Sequence, residues 1–152
     1  MITKEKVLDC QKRWGEGIIN IGKTFDRAGD YKKEAIAFIK DLYAYETENV
    51  LFKPTLAADI QFRLDKDAAL SYFIGGNSSF SEDKGFAIKS WSDVKWENAG
   101  VKIIDDIAVC MGNYFFIAHN QEDLKVEYTM VFKSISGSLK IILHDSHLPY
   151  HK

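Results

Sequence analysis

The residue types best suited to chemistry gather near the end of the chain. Three of the four histidines fall in the run His144-Asp145-Ser146-His147-Leu148-Pro149-Tyr150-His151. Side chains alternate faces along a strand. Leu139, Ile141, Leu143, Asp145 and His147 are therefore expected on one side, and Lys140, Ile142, His144 and Ser146 on the other. His144 and His147 then point apart and cannot ligate one ion without a bulge, so no metal is expected. His144 and Ser146 share a face, with Cβ atoms about 7 Å apart. That spacing suits two groups holding one small molecule or water between them better than a direct Ser-His nucleophile pair. No GxSxG elbow accompanies them, so acyl transfer is not indicated. By the same alternation, Asp145 beside His144 does not form a dyad with it.

Composition narrows the classes further. The 152 residues carry 20 Lys+Arg against 22 Asp+Glu, a formal net charge of −2, with the charges interspersed rather than blocked. A nucleic-acid partner, which would need a basic face, is not expected. No window approaches the ~20 apolar residues that span a bilayer, so no membrane association is expected. The first residues, MITKEKVLDC, are charged where a signal peptide would carry its apolar core, and the expectation is a cytoplasmic protein. Cys10 and Cys110 stand a hundred positions apart with no CxxC, and both are expected as small buried hydrophobes. The aromatic content of 13% can fill a core or line a pocket.

The elements that would position these residues follow from periodicity. Val7, Trp14, Ile18, Ile21 and Phe25 recur at helical spacing from a Thr3 cap,. Gly15, Gly17 and Gly22 interrupt this stripe, and a close approach to another element is a reason to keep them. A second helix is expected over residues 31–45, with Ala35, Phe38, Ile39, Leu42 and Tyr43 on one face,. Beyond it come a short apolar run ended by Pro54, an alternating segment Ile60, Phe62, Leu64 that predicts a half-buried strand, and a short helix over residues 67–74 closed by Gly75-Gly76,. Residues 77–85 predict a polar loop. Strands are then predicted over residues 86–97, 101–104, 107–119, 124–133 and 139–147, separated by turns that include Asn98-Gly100 and Asp105-Asp106,. Helices followed by an antiparallel meander define an α+β class, one domain over residues 1–152, with helices on one face of a curved sheet.

The C-terminal IILHDSHLPY resembles the hydrophobic-x-His-His-Ser-Ser-x-Pro strand of many nuclear-transport-factor-2-like (NTF2-like, SnoaL-like) domains, which are relatives of the calcium/calmodulin-dependent kinase association domain. VLFKPT, ALSYFIGGN, GFAI, NAGV, MGNYFF and KVEYTMVF follow in the expected order. The resemblance spans residues 30–150 and leaves 1–29 as an N-terminal helical extension. It is to the subgroup labelled phosphoribosyl-AMP cyclohydrolase-like, which is similar to the metal-independent iota class of carbonic anhydrases. A true cyclohydrolase resembles a zinc site of three cysteines, and this chain has two, so that activity is not expected. The resemblance implies a cystatin-like cone with helices packed on a strongly curved, mainly antiparallel sheet.

The resemblance also implies a site built from Thr55, Tyr72, His144 and Ser146, with no cofactor. Asp145 and His147 replace the second His and second Ser of the motif. Tyr114, Tyr128 and Thr129 are expected to flank the cavity. One implied function is a lyase that hydrates carbon dioxide, with His144, of ordinary pKa near 6.5, as general base. A positioned base supplies about 10² to 10⁴-fold, and each preorganised donor about 10² to 10³-fold. The other is a non-catalytic ligand-binding or oligomerisation domain. The expected partners are a small-molecule ligand, carbon dioxide/bicarbonate or a small metabolite, and a second copy of the chain in a homodimer.

Overall fold

The computed structural model describes residues 1–152. Helix α1 runs Lys4–Asp26, and its Thr3 cap accepts a hydrogen bond from the Lys6 N–H at 3.2 Å. Its apolar stripe, Val7, Cys10, Trp14, Ile18 and Ile21, is buried. The glycines let it lie close to its neighbours. A Cβ at Gly15 would stand 3.1 Å from the Val94 Cβ, and one at Gly22 would stand 2.9 Å from the Ala87 carbonyl oxygen. Helix α2, Tyr31–Leu42, starts at an Asp30 cap. It ends three residues before the expected boundary. Tyr43 is already extended (φ −109, ψ 146), and the Ala44 N–H donates to the Ile141 carbonyl at 3.0 Å. The sheet edge captures the chain there, and Tyr43 swings inward.

Strand β1, Leu51–Lys53, pairs parallel with β5, Ser138–His147. Helix α3, Lys66–Ile74, lies between them in sequence, and two 3₁₀ turns, Ser78–Phe80 and Phe86–Ile88, follow it. The meander is β2 Trp91–Ile104, β3 Ile107–Ala118, β4 Leu124–Ile135 and β5. The sheet order is β1-β5-β4-β3-β2, mixed through its one parallel pair and otherwise antiparallel. The class is α+β. No helix is long and apolar enough to cross a membrane.

Several local expectations are corrected. The strand predicted from residue 86 begins only at Trp91, because Gly85 is left-handed (φ 83) and a 3₁₀ turn follows it. Asn98-Gly100 is a bulge inside the single strand β2, where the register shifts opposite Gly112 and Met111. Such a bulge bends and twists a strand, which curls the sheet around the helices. A second bulge lies in β5: Val131 pairs with Leu143 and Phe132 with Ile141, leaving Ile142 unpaired. Strict alternation therefore fails at one point. Leu139 and Ile141 share the buried face with His144 and Ser146, while Asp145 and His147 lie on the outer side.

The alternating Ile60, Phe62, Leu64 segment is not a strand. These three side chains are exposed, and Arg63 between them is fully buried. Arg63 forks onto Asp83, with Nη1 to Oδ2 at 2.8 Å and Nη2 to Oδ1 at 2.7 Å. It also donates to the carbonyls of Ile60 (2.8 Å) and Ala68 (2.9 Å). Beside it, the Glu82 carboxylate accepts the backbone N–H groups of Ala58 (2.6 Å), Asp59 (3.0 Å) and Ile60 (2.8 Å). The two clips tie residues 58–63 to the stretch after α3. Removing one partner of such a pair leaves a buried charge uncompensated. Arg63→Ala is expected to cost roughly 3–5 kcal/mol, read as a lower midpoint in denaturant with the m-value kept. A loss below about 1 kcal/mol would show that the clip adds no net stability.

Candidate active site

A small cavity lies where the inner face of the sheet meets α1 and α3. Trp14, Phe52, Pro54, Phe73 and Phe86 supply its apolar walls, and Thr55, Tyr72, Tyr114, His144 and Ser146 its polar ones. Its volume is about 10 Å³, the room that one water needs. No charged side chain lines it. Thr55, Tyr72, His144 and Ser146, which the sequence draws from three separate segments, therefore converge on one space, and Tyr114 joins them.

Each polar group is delivered by its element. The β5 bulge turns His144 and Ser146 inward together. Tyr114 comes from β3, where it is buried among the rings of Trp96, Phe116 and Tyr128. Tyr72 sits on α3 and its phenol oxygen accepts the Leu56 N–H at 3.2 Å. This contact holds the Pro54-Thr55 corner over the cavity. Burial holds the phenols of Tyr72 and Tyr114 well above the usual tyrosine range, against the smaller downward pull of the Leu56 N–H on Tyr72 and of Ser146 on Tyr114.

His144 is the centre of the network. Its Nε2 stands 3.1 Å from the Tyr114 hydroxyl and 3.2 Å from the Ser146 Oγ, and Tyr114 and Ser146 are hydrogen-bonded to each other. Its Nδ1 stands 2.8 Å from the Tyr43 hydroxyl, which in turn accepts the Trp14 indole N–H at 3.1 Å. Phe52 stacks on the imidazole at 5.0 Å with an interplanar angle of 16°. The ring has no anionic neighbour, and burial pulls its pKa down to about 3. This corrects the expectation of a base titrating near 6.5. At neutral pH the imidazole is uncharged, and a proton placed on it is costly.

Two expected lining residues lie elsewhere. Thr129 is on the outer face opposite Asp145, because β4 turns Val126, Tyr128 and Met130 inward. Tyr128 is inward but outside the cavity lining; its hydroxyl accepts from Gln11 Nε2 at 3.0 Å. Asp145 approaches His147 (3.8 Å) on the outer face, where Glu127 also lies 3.4 Å from His147. No three His, Cys, Asp or Glu side chains converge as a metal-binding group. Cys10 and Cys110 are free and buried. By spacing alone Tyr43 and Trp14 are core positions. Their signal was chemical: aromatic residues with a polar tip in a buried stripe, each needing a partner.

This cone of helices on a curved sheet is shared with proteins of remote sequence. A putative calcium/calmodulin-dependent protein kinase II association domain from Xanthomonas campestris superposes with a TM-score of 0.69 at 19% identity, covering 100% of this chain and 91% of that one. A nuclear-transport-factor-2-like protein of unknown function from Shewanella oneidensis gives 0.58 at 14%, covering 96% and 99%. These set the fold as nuclear-transport-factor-2-like. A much nearer likeness is the crystal structure of a cyanobacterial iota-carbonic anhydrase complexed with bicarbonate, with a TM-score of 0.96, 41% identity and coverage of 99% of this chain and 94% of that one. The metal-independent carbonic anhydrase of Nostoc sp. is 41% identical over 99% of this chain and 76% of its own length. The family model for metal-independent carbonic anhydrase matches residues 5–148, α1 included. The chain belongs to the metal-independent carbonic anhydrase family.

Burial of a neutral His144 makes stability depend on pH. The folded-state pKa of about 3 lies below the unfolded value near 6.5. Between those values the unfolded chain binds a proton that the folded chain does not. The contribution is fully present above pH 6.5 and is lost as pH falls toward 3, at about 1.4 kcal/mol per unit. Denaturant unfolding at pH 7, 6 and 5 is expected to show this extra slope in the natural protein and not in His144→Gln. Parallel slopes would place the imidazole in water.

Proposed function

We propose that the protein is a metal-independent carbonic anhydrase, a lyase that interconverts carbon dioxide and bicarbonate in the cavity at His144. The observation that carries this reading is the cavity's size taken with its lining. A metabolite pocket encloses about 300–1,000 Å³, whereas five hydroxyl or imidazole groups converge here on about 10 Å³, room for one water that must widen by side-chain shifts to take carbon dioxide beside it. Carbon dioxide has no net dipole, an electrophilic carbon, and a weak hydrogen-bond acceptor oxygen at each end. Aromatic walls beside hydroxyl donors suit it.

Charge is expensive in this cavity, because nothing charged lines it,. A neutral route avoids that cost. Water held by Thr55 and Ser146 attacks the carbon while one of its protons passes to a hydroxyl oxygen. That hydroxyl releases its own proton to an oxygen of carbon dioxide. One C–O bond forms, one C=O becomes C–OH, and carbonic acid leaves to ionise in solvent. Tyr72 and Tyr114 donate to the oxygen on which charge builds, and each such preorganised donor is worth about 10² to 10³-fold. His144 orients Ser146 and Tyr114 through its Nε2 contacts. The general-base role expected of His144 gives way to this orienting one because of its low pKa.

Stopped-flow assays of carbon dioxide hydration are expected to show turnover that survives chelators and stays flat from about pH 5 to 9, where no lining group titrates. His144→Ala and Ser146→Ala are each expected to lose at least ~10²-fold. A rate that climbs tenfold per pH unit through 7, or unchanged turnover in both variants, would sink this mechanism.

We propose further that two copies pair through the outer face of the sheet. Met111 is exposed there next to the half-buried row that Val109, Val131 and Leu143 form across β3, β4 and β5, an apolar patch suited to the centre of an isologous interface of ~800 Å² per partner. Sedimentation is expected to give a dimer that Met111→Lys with Val131→Lys converts to a monomer. A natural protein that sediments as a monomer at tens of micromolar would overturn the pairing.

A further inference from the structure

We infer that Trp14 and Tyr43 are positioning residues that lock His144 in its Nε2–H tautomer, so that the imidazole faces the cavity as a hydrogen-bond donor. The inference rests on the proposed carbon dioxide chemistry only for its consequence in turnover; the tautomer follows from the hydrogen-bond chain alone.

The chain has one allowed direction. An indole N–H can donate but never accept. Trp14 Nε1 lies 3.1 Å from the Tyr43 hydroxyl, so that oxygen accepts. The Tyr43 side chain is fully buried, and its own proton needs an acceptor within the protein. The one acceptor in contact with the hydroxyl is His144 Nδ1, at 2.8 Å. Nδ1 must then present its lone pair. In a neutral imidazole the single proton falls to Nε2, and the partner at one nitrogen decides the state of the other.

Nε2–H points at the Tyr114 and Ser146 oxygens, at 3.1 and 3.2 Å. Those two hydroxyls share one bond between them, and of their two protons the second is left for the cavity. Proton order thus runs indole, phenol, imidazole, hydroxyl, substrate. The opposite tautomer would send Nδ1–H to Tyr43 and strand the Tyr43 proton among aromatic rings. The ring cannot swivel to escape the choice, because Phe52 stacks on its face and Trp14 meets it edge-on at 84°.

The test is a long-range proton–nitrogen correlation spectrum of the ¹⁵N-labelled full chain at pH 7, with His144 assigned by its absence in His144→Gln. The expected pattern is a protonated Nε2 and a bare Nδ1; a protonated Nδ1 in the natural protein overturns the inference without any variant. In Tyr43→Phe the tautomers are expected to mix or exchange, with kcat for hydration down tenfold or more and KM within about twofold. A Tyr43→Phe protein that keeps the Nε2–H pattern and full kcat also overturns it. A natural protein with the Nε2–H pattern but no hydration above buffer supports the positioning and refutes the proposed function, so the two failures are read separately.

Discussion

An imidazole buried without a charged partner sets the terms for everything around it. His144 must stay neutral, and both its nitrogens must be paired inside the protein, since an unpaired buried polar group costs as much as a lost hydrogen bond. Five elements supply what it needs. Trp14 comes from α1, Tyr43 from the residue that ends α2, Phe52 from β1, Tyr114 from β3, and Ser146 from β5 itself. Packing the helices on the sheet and satisfying the ring are one problem. The aromatic residues, which looked at first like core filler, serve both ends of it. They exclude water, and three of them carry the polar atoms of the network.

Much of this was legible in the sequence. Alternation along β5 paired His144 with Ser146 and set Asp145 and His147 on the other face, which holds near the site. It failed upstream, because one extra residue, Ile142, inverts the faces. A bulge leaves no mark in the uniformly apolar run Ile141-Ile142-Leu143. The same limit hid the bulge at Asn98-Gly100, whose residues carry turn chemistry whether the chain reverses or only kinks.

The segment Ile60 to Leu64 shows the opposite failure, in which a clear pattern carries the wrong meaning. Alternating apolar residues predict a strand with polar residues outward. Here Arg63 is drawn inside by a carboxylate twenty residues away, and its apolar neighbours turn to solvent. A long-range ion pair outweighs local period, and periodicity cannot see it. Tyr43 was misplaced for a related reason. Its helical spacing is sound as far as Leu42, but pairing with Ile141 ends the helix, and a partner about a hundred residues on has no local signature. Thr55 and Tyr72, by contrast, lie in motifs that the family resemblance singles out, and both line the cavity.

The carboxylate of Glu82, seated on three successive backbone amides, also constrains how ligands come and go. With residues 58–60 held on it and Arg63 held on Asp83, the segment that follows the Pro54-Thr55 corner is pinned to the stretch after α3. Among the residues that line the cavity, Thr55 alone is not buried, and rotation of such a side chain takes picoseconds to nanoseconds rather than the microseconds to milliseconds of lid opening. A triatomic ligand needs no wider door. A space this small, walled by buried aromatic rings, shuts out large molecules by its size alone.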